Sequence, residues 1–317
     1  MDKARKYKKQ DDFKYQDPIR PDRKDISGRT DWGHVAKWYD KHLDEDDTYH
    51  AKVILPNLTR LLGDMKGQRV LDLACGQGYF ALNWAKSAKY VYGIDLGLGL
   101  IKIAEENYKK EKEILIKNKS KGNSKWDKHG VVRGVDISKN SLAEVEFYVS
   151  PADNLEMIAD GTLDKITCVL ALQNIEEVAG VFKECERVLK KYGRMFIVLN
   201  HPSFRNPRNT HWGWDEEKKI QYRRIDEYIS ESKAKIDMNP GSPSPGGRGP
   251  GGGGNHTWSF HRPLQYYFKA INKAGLCVGR LEEWISHKES QKGPRQVAED
   301  KSRKEIPMFM MIEIIKV

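Results

Sequence analysis

Two acidic residues and two glycines stand where neighbouring strands of an α/β sheet would end. Asp72 lies in an apolar run, 70–74, and the chain then turns at Gly76 and Gly78. The next apolar run, 90–94, ends at Asp95. Open α/β sheets bind ligands at the carboxyl ends of their strands, where an acid can hold the two hydroxyls of a ribose. The pattern therefore predicts a site for a cofactor that contains a nucleoside.

Four segments, in this order, resemble the motifs of the class I S-adenosylmethionine (SAM)-dependent methyltransferases. They are 71–78 (LDLACGQG), 93–95 (GID), 163–175 and 188–198. The resemblance covers about residues 65–200, with a weaker tail at 258–317, and it implies a methyltransferase with SAM as its cofactor. Residues 76–81 also satisfy the G-x-G-x-x-G/A pattern of dinucleotide sites. A NAD-linked oxidoreductase is therefore an alternative, and a SAM-binding protein without catalysis is another.

The resemblance implies cofactor contacts at the strand ends. The acid that matches Asp72 supports the loop and the methionine amino group in the family, and a cap of the turn is the alternative for Asp72. Asp95 would bind the ribose unless it caps a helix instead. Pro151 stands where relatives often carry the acid that meets the adenine. Asp153 or the backbone of Ala152 would then contact the adenine, with a helix cap as the alternative for Asp153. The predicted cofactor-binding residues are Tyr39, Asp72, Ala74, Gly76, Gly78, Asp95, Leu96, Ala152, Asp153 and Gln173.

Two histidines are candidates for a general base. Methyl transfer depends mainly on positioning, and a base is needed where the acceptor must lose a proton early. His201 follows the predicted fifth strand, and His261 lies in a segment that resembles one found near the acceptor pocket of small-molecule methyltransferases. A structural histidine is the alternative for His201, and a helix-entry turn is the alternative for His261 and Arg262. The predicted acceptor-binding residues are Asn174, Asn200, Arg205, Trp212 and Arg262, and a helix cap is the alternative for Asn174.

Composition leaves the acceptor class open. The net charge of +10 suits RNA or another anionic partner, and it equally suits solubility. Aromatic residues alternate with arginines between 205 and 224, which is typical of a site for flat or anionic ligands and also of a charged lid. We predict a small-molecule acceptor methylated on oxygen or nitrogen, with RNA or protein as the alternative acceptor.

Alternating strands and helices must position these residues. Strands are predicted at 69–74, 90–94, 145–149, 165–170 and 194–199, with helices between most of them, which implies a parallel sheet. The resemblance adds antiparallel sixth and seventh strands near 277–281 and 308–315. The predicted fold class is α/β, with a doubly wound, seven-stranded, mostly parallel sheet, an N-terminal helical cover and an insertion after strand five.

The chain divides by composition into a few regions. We predict that residues 1–30 form a mobile basic arm and that residues 31–64 form a helical cover. Tyr39 of this cover either lies over the cofactor or packs in the core. Residues 65–200 and 264–317 form the predicted Rossmann-like SAM domain. Residues 201–263 form a predicted acceptor-side lid, with a charged helix near 215–230 and a flexible Gly/Pro-rich loop at 239–254.

The four cysteines form no C-x-x-C pair and no zinc-ligand spacing, so no metal site is predicted. The chain has no apolar run of transmembrane length, and its first residues lack the apolar stretch of a secretory signal. We therefore expect a cytoplasmic protein that does not contact membranes.

Overall fold

The computed structural model describes residues 47–120, 142–237 and 256–317. The predicted arm at 1–30, most of the helical cover with Tyr39, and the Gly/Pro-rich loop at 239–254 lie outside the described residues. The division of the chain into cover, SAM domain and lid stays a prediction.

Seven strands form the central sheet. They are β1 (Arg69–Leu73), β2 (Tyr90–Asp95), β3 (Glu144–Val149), β4 (Leu163–Val169), β5 (Leu189–Asn200), β10 (Leu276–Trp284) and β11 (Phe309–Lys316). Their order is β3-β2-β1-β4-β5-β11-β10. Strands β1 to β5 are parallel, and β11 runs antiparallel to both of its neighbours. The predicted fold class is confirmed, but β10, which we expected to be antiparallel as well, points the same way as β1 to β5.

Helices cover both faces of the sheet. They are α1 (Leu55–Leu62), α2 (Tyr79–Trp84), α3 (Leu98–Ser120), α4 (Val178–Val188), α5 (Leu264–Lys273) and α6 (Gln296–Glu305). A π-helical turn, His50–Ile54, precedes α1, and a 3-10 turn, Leu172–Asn174, follows β4. No helix in the described ranges combines the length and the apolar character needed to cross a membrane.

Alternate residues of β1 build the core on opposite faces of the sheet, as the twofold period of a strand requires. Val70 packs in a cluster with Leu58 of α1 and Trp84 of α2. Leu71 packs in the other cluster with Phe182 of α4 and Tyr267 of α5. Because both faces are buried, β1 is apolar after the exposed Arg69 except at Asp72, which sits close to the strand's carboxyl end.

The charged helix predicted near 215–230 is wrong. The segment forms an antiparallel hairpin of β6 (Thr210–Asp215) and β7 (Ile220–Ile225). Its turn begins at Asp215, whose side chain accepts the backbone N–H groups of Glu217 at 3.0 Å and Lys218 at 2.8 Å. Such a turn directs the charged residues into a loop between strands, so their high density does not indicate a helix.

A second ribbon connects the insertion to the sheet. Strands β8 (Ser232–Asp237) and β9 (His256–His261) pair antiparallel, and β9 leads directly into α5. The ribbon lies against the 3-10 turn that follows β4, since Asn174 donates its side-chain amide to the carbonyl of Trp258 at 2.8 Å. The insertion is therefore held beside the carboxyl ends of the strands.

Candidate active site

A cleft opens along the carboxyl ends of β1, β2 and β4. Its volume is about 1480 Å³, including the space open to solvent. The predicted site residues that line it are Asp72, Ala74, Gly76, Asp95, Leu96, Ala152, Asp153 and Asn174.

Asp72 is buried at the base of the cleft and is 1% exposed. One carboxylate oxygen accepts the backbone N–H of Ala81 at 3.0 Å, and the other accepts the hydroxyl of Thr167 at 2.9 Å. The indole N–H of Trp84 donates to the same hydroxyl at 3.1 Å. Burial raises the pKa of Asp72 to about 7, the charge of Asp95 adds to the increase, and the two hydrogen bonds oppose it. This carboxyl gains or loses its proton near neutral pH.

Replacement of Asp72 by asparagine should change how stability depends on pH. Folded Asp72 keeps its proton up to about pH 7, whereas a free aspartate releases it near 3.8. Between these values the folded state binds more protons, so the Asp72 contribution to stability falls as the pH rises. The quantity to follow is the difference in unfolding free energy between the wild type and Asp72→Asn. We expect this difference to decrease between about pH 3.8 and pH 7 and to stay constant above pH 7. Urea unfolding of both proteins at a series of pH values measures the difference, and a pH-independent difference would contradict the assignment.

Asp95 connects the end of β2 to the glycine turn after β1. Its carboxylate accepts the N–H of Gly76 at 2.9 Å and the N–H of Gly97 at 2.8 Å. Burial raises the pKa of Asp95, while these backbone hydrogen bonds lower it. Asp95 therefore positions the turn as well as facing the cleft.

The two glycines of the turn serve different purposes. Both have positive φ, +57° at Gly76 and +84° at Gly78. A Cβ on Gly76 would meet no atom within 4 Å, whereas a Cβ on Gly78 would lie 3.1 Å from Ala104 and 3.2 Å from Phe147. Gly76 therefore lies on the open side of the turn, and Gly78 allows α3 and β3 to pack closely. We predicted both as cofactor contacts, but Gly78 is not part of the cleft lining.

Strands β1 and β4 are each followed by a residue in the left-handed backbone conformation. Ala74 follows β1 with φ +57°, and Leu170 follows β4 with φ +52°. Both residues line the cleft. Side chains other than glycine seldom adopt this conformation, and such strained positions cluster at functional sites. Leu170 was not predicted, although its place directly after β4 matches that of Ala74 after β1.

The loop after β3, which carries Ala152 and Asp153, is held by two residues of α4. Glu184 accepts the backbone N–H of Leu155 at 2.9 Å. Arg187 donates to the carbonyls of Leu155 and Ile158, at 2.9 Å each, and also pairs with Glu184. Arg187 thus makes two of the hydrogen bonds that hold this side of the cleft.

We expect Arg187→Met to lower the free energy of unfolding by about 2–3 kcal/mol. The substitution keeps most of the apolar stem but removes hydrogen bonds from a charged donor, each worth roughly 1.5–3 kcal/mol, and partial solvent exposure reduces the total. Lys183→Met, an exposed position on the same helix, should change stability by less than about 0.5 kcal/mol. Urea unfolding measures both variants, and equal effects would show that Arg187 does not hold the loop.

Neither predicted general base reaches the cleft lining. His201 is buried, with Nε2 at 2.7 Å from the carboxylate of Glu283 and Nδ1 accepting the N–H of Ser203 at 3.2 Å. Burial lowers the pKa of His201, and the hydrogen bond to Glu283 opposes this. His261 donates from Nε2 to the carbonyl of Tyr228 at 2.8 Å. Both imidazoles are engaged in contacts within the fold, and their catalytic roles stay predictions without geometric support.

Four of the predicted acceptor residues also lie outside the lining: Asn200, Arg205, Trp212 and Arg262. Asn200 ends β5 and is exposed, and Arg205 is half-buried next to the 201–204 turn. Trp212 of β6 stacks beneath the guanidinium of Arg223, which lies 5.0 Å from the indole centroid.

Two predicted residues act on the cleft through the backbone of its walls. Arg262 is buried against the rings of Phe260 and Tyr266 and donates to the carbonyl of Glu176 at 2.6 Å. Gln173 donates to the carbonyl of Leu170 at 2.8 Å. Glu176 and Leu170 line the cleft, whereas Arg262 and Gln173 do not. Arg262 and Gln173 are therefore positioning residues.

Several lining residues were missed in the sequence. They are His50, Gln77, Tyr79, Phe80, Leu170, Glu176, Glu177 and Phe260. His50 enters from the π-helical turn, and its ring lies 6.1 Å from that of Tyr79 and 5.8 Å from that of Phe80. Gln77, Tyr79 and Phe80 belong to or directly follow the glycine motif, which is the signal that would have identified them. His50 comes from a segment without a motif. Phe260 begins the segment that resembles one near the acceptor pocket of small-molecule methyltransferases, and that resemblance is the signal that would have identified it.

The charged side chains in the described part of the lining are acidic. They are Asp72, Asp95, Asp153, Glu176 and Glu177, and the described lining contains no lysine or arginine. Lys233 lies 3.4 Å from the carboxylate of Glu176 and so partly neutralises it at the rim. The cleft therefore favours cationic or neutral ligands, although the whole protein carries a net charge of +10.

Residues 71–197 match a family model described as a methyltransferase domain. A similar curated protein is the ubiquinone biosynthesis O-methyltransferase of Acinetobacter baylyi, which is 23% identical over 176 residues. The match covers 55% of this chain, and the chain spans about 60% of the length of that relative.

Solved structures share the fold at low identity. An S-adenosylmethionine-dependent methyltransferase from Mesorhizobium loti has a TM-score of 0.53 and 20% identity, over 82% of this chain and 96% of its own. A protein from Listeria monocytogenes, described in the same terms, has a TM-score of 0.53 and 20% identity, over 83% of this chain and 97% of its own. At this identity the likeness concerns the fold.

Proposed function

Since residues 71–197 form a class I SAM-dependent methyltransferase domain with SAM as its cofactor, we propose that this chain methylates an oxygen of a small-molecule acceptor. The observation that carries the proposal is the pair of carboxylates, Asp72 and Asp95, at the ends of adjacent strands in an acid-lined cleft. Acids at the ends of two neighbouring strands suit a ligand with a ribose at one end and an ammonium group at the other.

The residues present fit SAM in charge and in shape. When bound, SAM supplies a methyl group activated by a positively charged sulfur. The buried carboxyl of Asp72 suits the methionine ammonium, and Asp95 suits the ribose hydroxyls. Gly76 leaves open space on the cleft side of the turn. The carboxylates also favour the cationic sulfur over an uncharged ligand.

The same contacts argue against a dinucleotide. A pyrophosphate would need free backbone N–H groups at the turn after β1. Here the N–H of Gly76 is bound by Asp95 and the N–H of Ala81 by Asp72. Two carboxylates in these places would also repel a pyrophosphate, so the geometry supports SAM over NAD.

The acceptor side supports a small uncharged molecule with a hydroxyl group. The similar curated protein named above is an O-methyltransferase. The described lining lacks lysine and arginine, which a phosphate-rich acceptor such as RNA would require. Phe80 and Phe260 give this part of the cleft apolar walls, as sites for small organic molecules commonly have.

We assign proton removal to His50, the one imidazole in the described part of the lining. The acceptor oxygen would bond to the methyl carbon as the bond between that carbon and the sulfur breaks and leaves a neutral thioether. The hydroxyl proton would pass to an imidazole nitrogen of His50 and then to water. Asp72 and Asp95 hold the cofactor end. The walls orient the acceptor, and orientation supplies much of the rate increase.

The experiment that tests the proposal is incubation with methyl-labelled SAM. Catechol serves as a phenolic probe, beside fractionated cell extract. Label in catechol or in the small-molecule fraction supports the proposal, whereas label in RNA or protein would favour the alternative acceptors. Calorimetry with SAM and NAD, run side by side, covers the remaining alternatives: SAM binding without any transfer indicates a non-catalytic protein, and NAD binding alone indicates an oxidoreductase.

A further inference from the structure

An ion pair lies at the mouth of the cleft, between the β8–β9 ribbon and the loop after β4. Lys233 of β8 places its ammonium 3.4 Å from the carboxylate of Glu176, which lines the cleft. The side chain of Glu176 is 56% exposed and that of Lys233 is 37% exposed, so both charges stand at the opening. Exposed pairs contribute little to stability. The main effect of this pair is therefore on the charge that an entering ligand meets.

Contacts other than the ion pair hold both partners in place. The ammonium of Lys233 lies over two rings of β9, 4.7 Å from the centroid of Trp258 and 5.0 Å from that of Phe260. Arg262 donates to the backbone carbonyl of Glu176 at 2.6 Å. The two opposite charges therefore stay side by side at the rim, next to the buried ring of Phe260 that forms a wall of the cleft.

Without Lys233 this part of the rim would be acidic. Glu176 and Glu177 both line the cleft, and within the described residues Lys233 is the only cation that pairs with either carboxylate. An acceptor has to place its hydroxyl group against the methyl carbon inside the cleft, so the rest of the molecule extends toward the rim. A charge on that outer part meets Glu176 and Lys233 together, and two opposite charges at similar distances nearly cancel.

We propose that the Lys233–Glu176 pair sets the charge selectivity of the acceptor site. Lys233 cancels the carboxylate at the rim and so prevents a preference for acceptors with a cationic outer end. This inference rests on the proposed function. It makes Lys233, which does not itself line the cleft, a specificity-determining residue that acts through Glu176. The acceptor class that fits is a hydroxylated ring whose outer substituent is uncharged.

Three catechols that differ in the end group of a short chain test the pair. Dopamine ends in an ammonium group, 4-propylcatechol in a methyl group, and 3-(3,4-dihydroxyphenyl)propanoate in a carboxylate. Calorimetry gives their affinities for the protein saturated with S-adenosylhomocysteine, and labelled SAM gives kcat/KM. Each value for a charged catechol is divided by the value for 4-propylcatechol. A purely structural effect of a substitution changes all three catechols alike and so leaves these ratios unchanged.

The two single variants should change the ratios in opposite directions. We expect Lys233→Met to raise the dopamine ratio about fivefold and to lower the propanoate ratio about as much, because it leaves one unpaired carboxylate at a partly screened rim. Glu176→Gln should lower the dopamine ratio and raise the propanoate ratio. In the double variant the two effects should cancel to within about twofold of the wild type.

Lys235→Met is the matched control. Lys235 lies two residues further along the same face of β8, is exposed, and does not line the cleft. Its replacement removes the same charge from the same strand, but not from beside Glu176. Both ratios should therefore stay within about twofold of the wild type.

The outcomes separate this inference from the function on which it rests. Equal ratios in the wild type, Lys233→Met and Glu176→Gln would overturn the inference, and so would a shift in Lys235→Met as large as that in Lys233→Met. If the wild type neither binds nor methylates any of the three catechols, the inference is wrong as well. The proposed function is judged by the transfer of label to any small molecule. Such transfer together with unchanged ratios would leave the function standing and remove only the role of Lys233.

Discussion

Asp95→Asn is expected to weaken SAM binding by about a hundredfold. The two carboxylate oxygens accept the N–H groups of Gly76 and Gly97. An amide has one accepting oxygen, so one of these N–H groups would face an NH₂ group, and the charge proposed to hold the ribose hydroxyls would be lost. A lost hydrogen bond to a charged group costs roughly 1.5–3 kcal/mol, and about 2.7 kcal/mol corresponds to a hundredfold change. Calorimetric titration with SAM measures the effect.

Asp164→Asn is the matched control for that prediction. Asp164 also accepts a backbone N–H, that of Arg69 at 2.8 Å, but at the amino end of β1, on the side of the sheet away from the cleft. Its replacement should reduce stability while leaving SAM affinity within about twofold. If Asp95→Asn bound SAM as tightly as Asp164→Asn does, the assignment of Asp95 to the ribose would be wrong.

The cofactor half of the cleft was predictable because its parts are local in sequence. Asp72 and Gly76 stand in one continuous segment, and Asp95 ends the next strand. A buried strand that carries one acid and then breaks at glycine has few structural interpretations. The parallel pairing of β1 with β2 then brings these residues together, and that pairing follows from the alternation of strands and helices.

The acceptor half was not predictable in the same way, because distant segments build it. His201 was chosen for its place after β5, but its role depends on Glu283, 82 residues away and on the edge strand β10. Nothing near His201 in the sequence indicates that partner. Conversely, His50 lines the cleft from a segment whose pattern indicates only packing, and in the segment chosen for His261 and Arg262 the residue that lines the cleft is Phe260. Charge density was a poor guide to secondary structure as well, since a turn at Asp215 made a hairpin from a segment that we had interpreted as a helix.

His50→Gln is expected to lower kcat by about a hundredfold and to leave SAM affinity nearly unchanged. General bases commonly contribute 10²–10⁴ in rate, and glutamine keeps a polar side chain of similar size that accepts no proton. The rate is the transfer of labelled methyl to the acceptor identified by the experiment above, and calorimetry gives the SAM affinity. Protonation of an imidazole base also produces a fall in kcat at low pH, and this acidic limb should disappear in the variant.

His201→Gln and His261→Gln are the controls, because they remove imidazoles that are bonded to Glu283 and to the carbonyl of Tyr228 outside the cleft lining. Their main expected effect is on stability, with kcat within about fivefold and the acidic limb retained. The pH profile is the decisive measurement, since a structural role for His50 would lower kcat at every pH and keep the shape of the curve. If the fall in kcat at low pH persists in His50→Gln and disappears in one of the other two variants, the base is the histidine replaced in that variant. The end of β5 or of β9 would then have to move toward the cleft during the reaction.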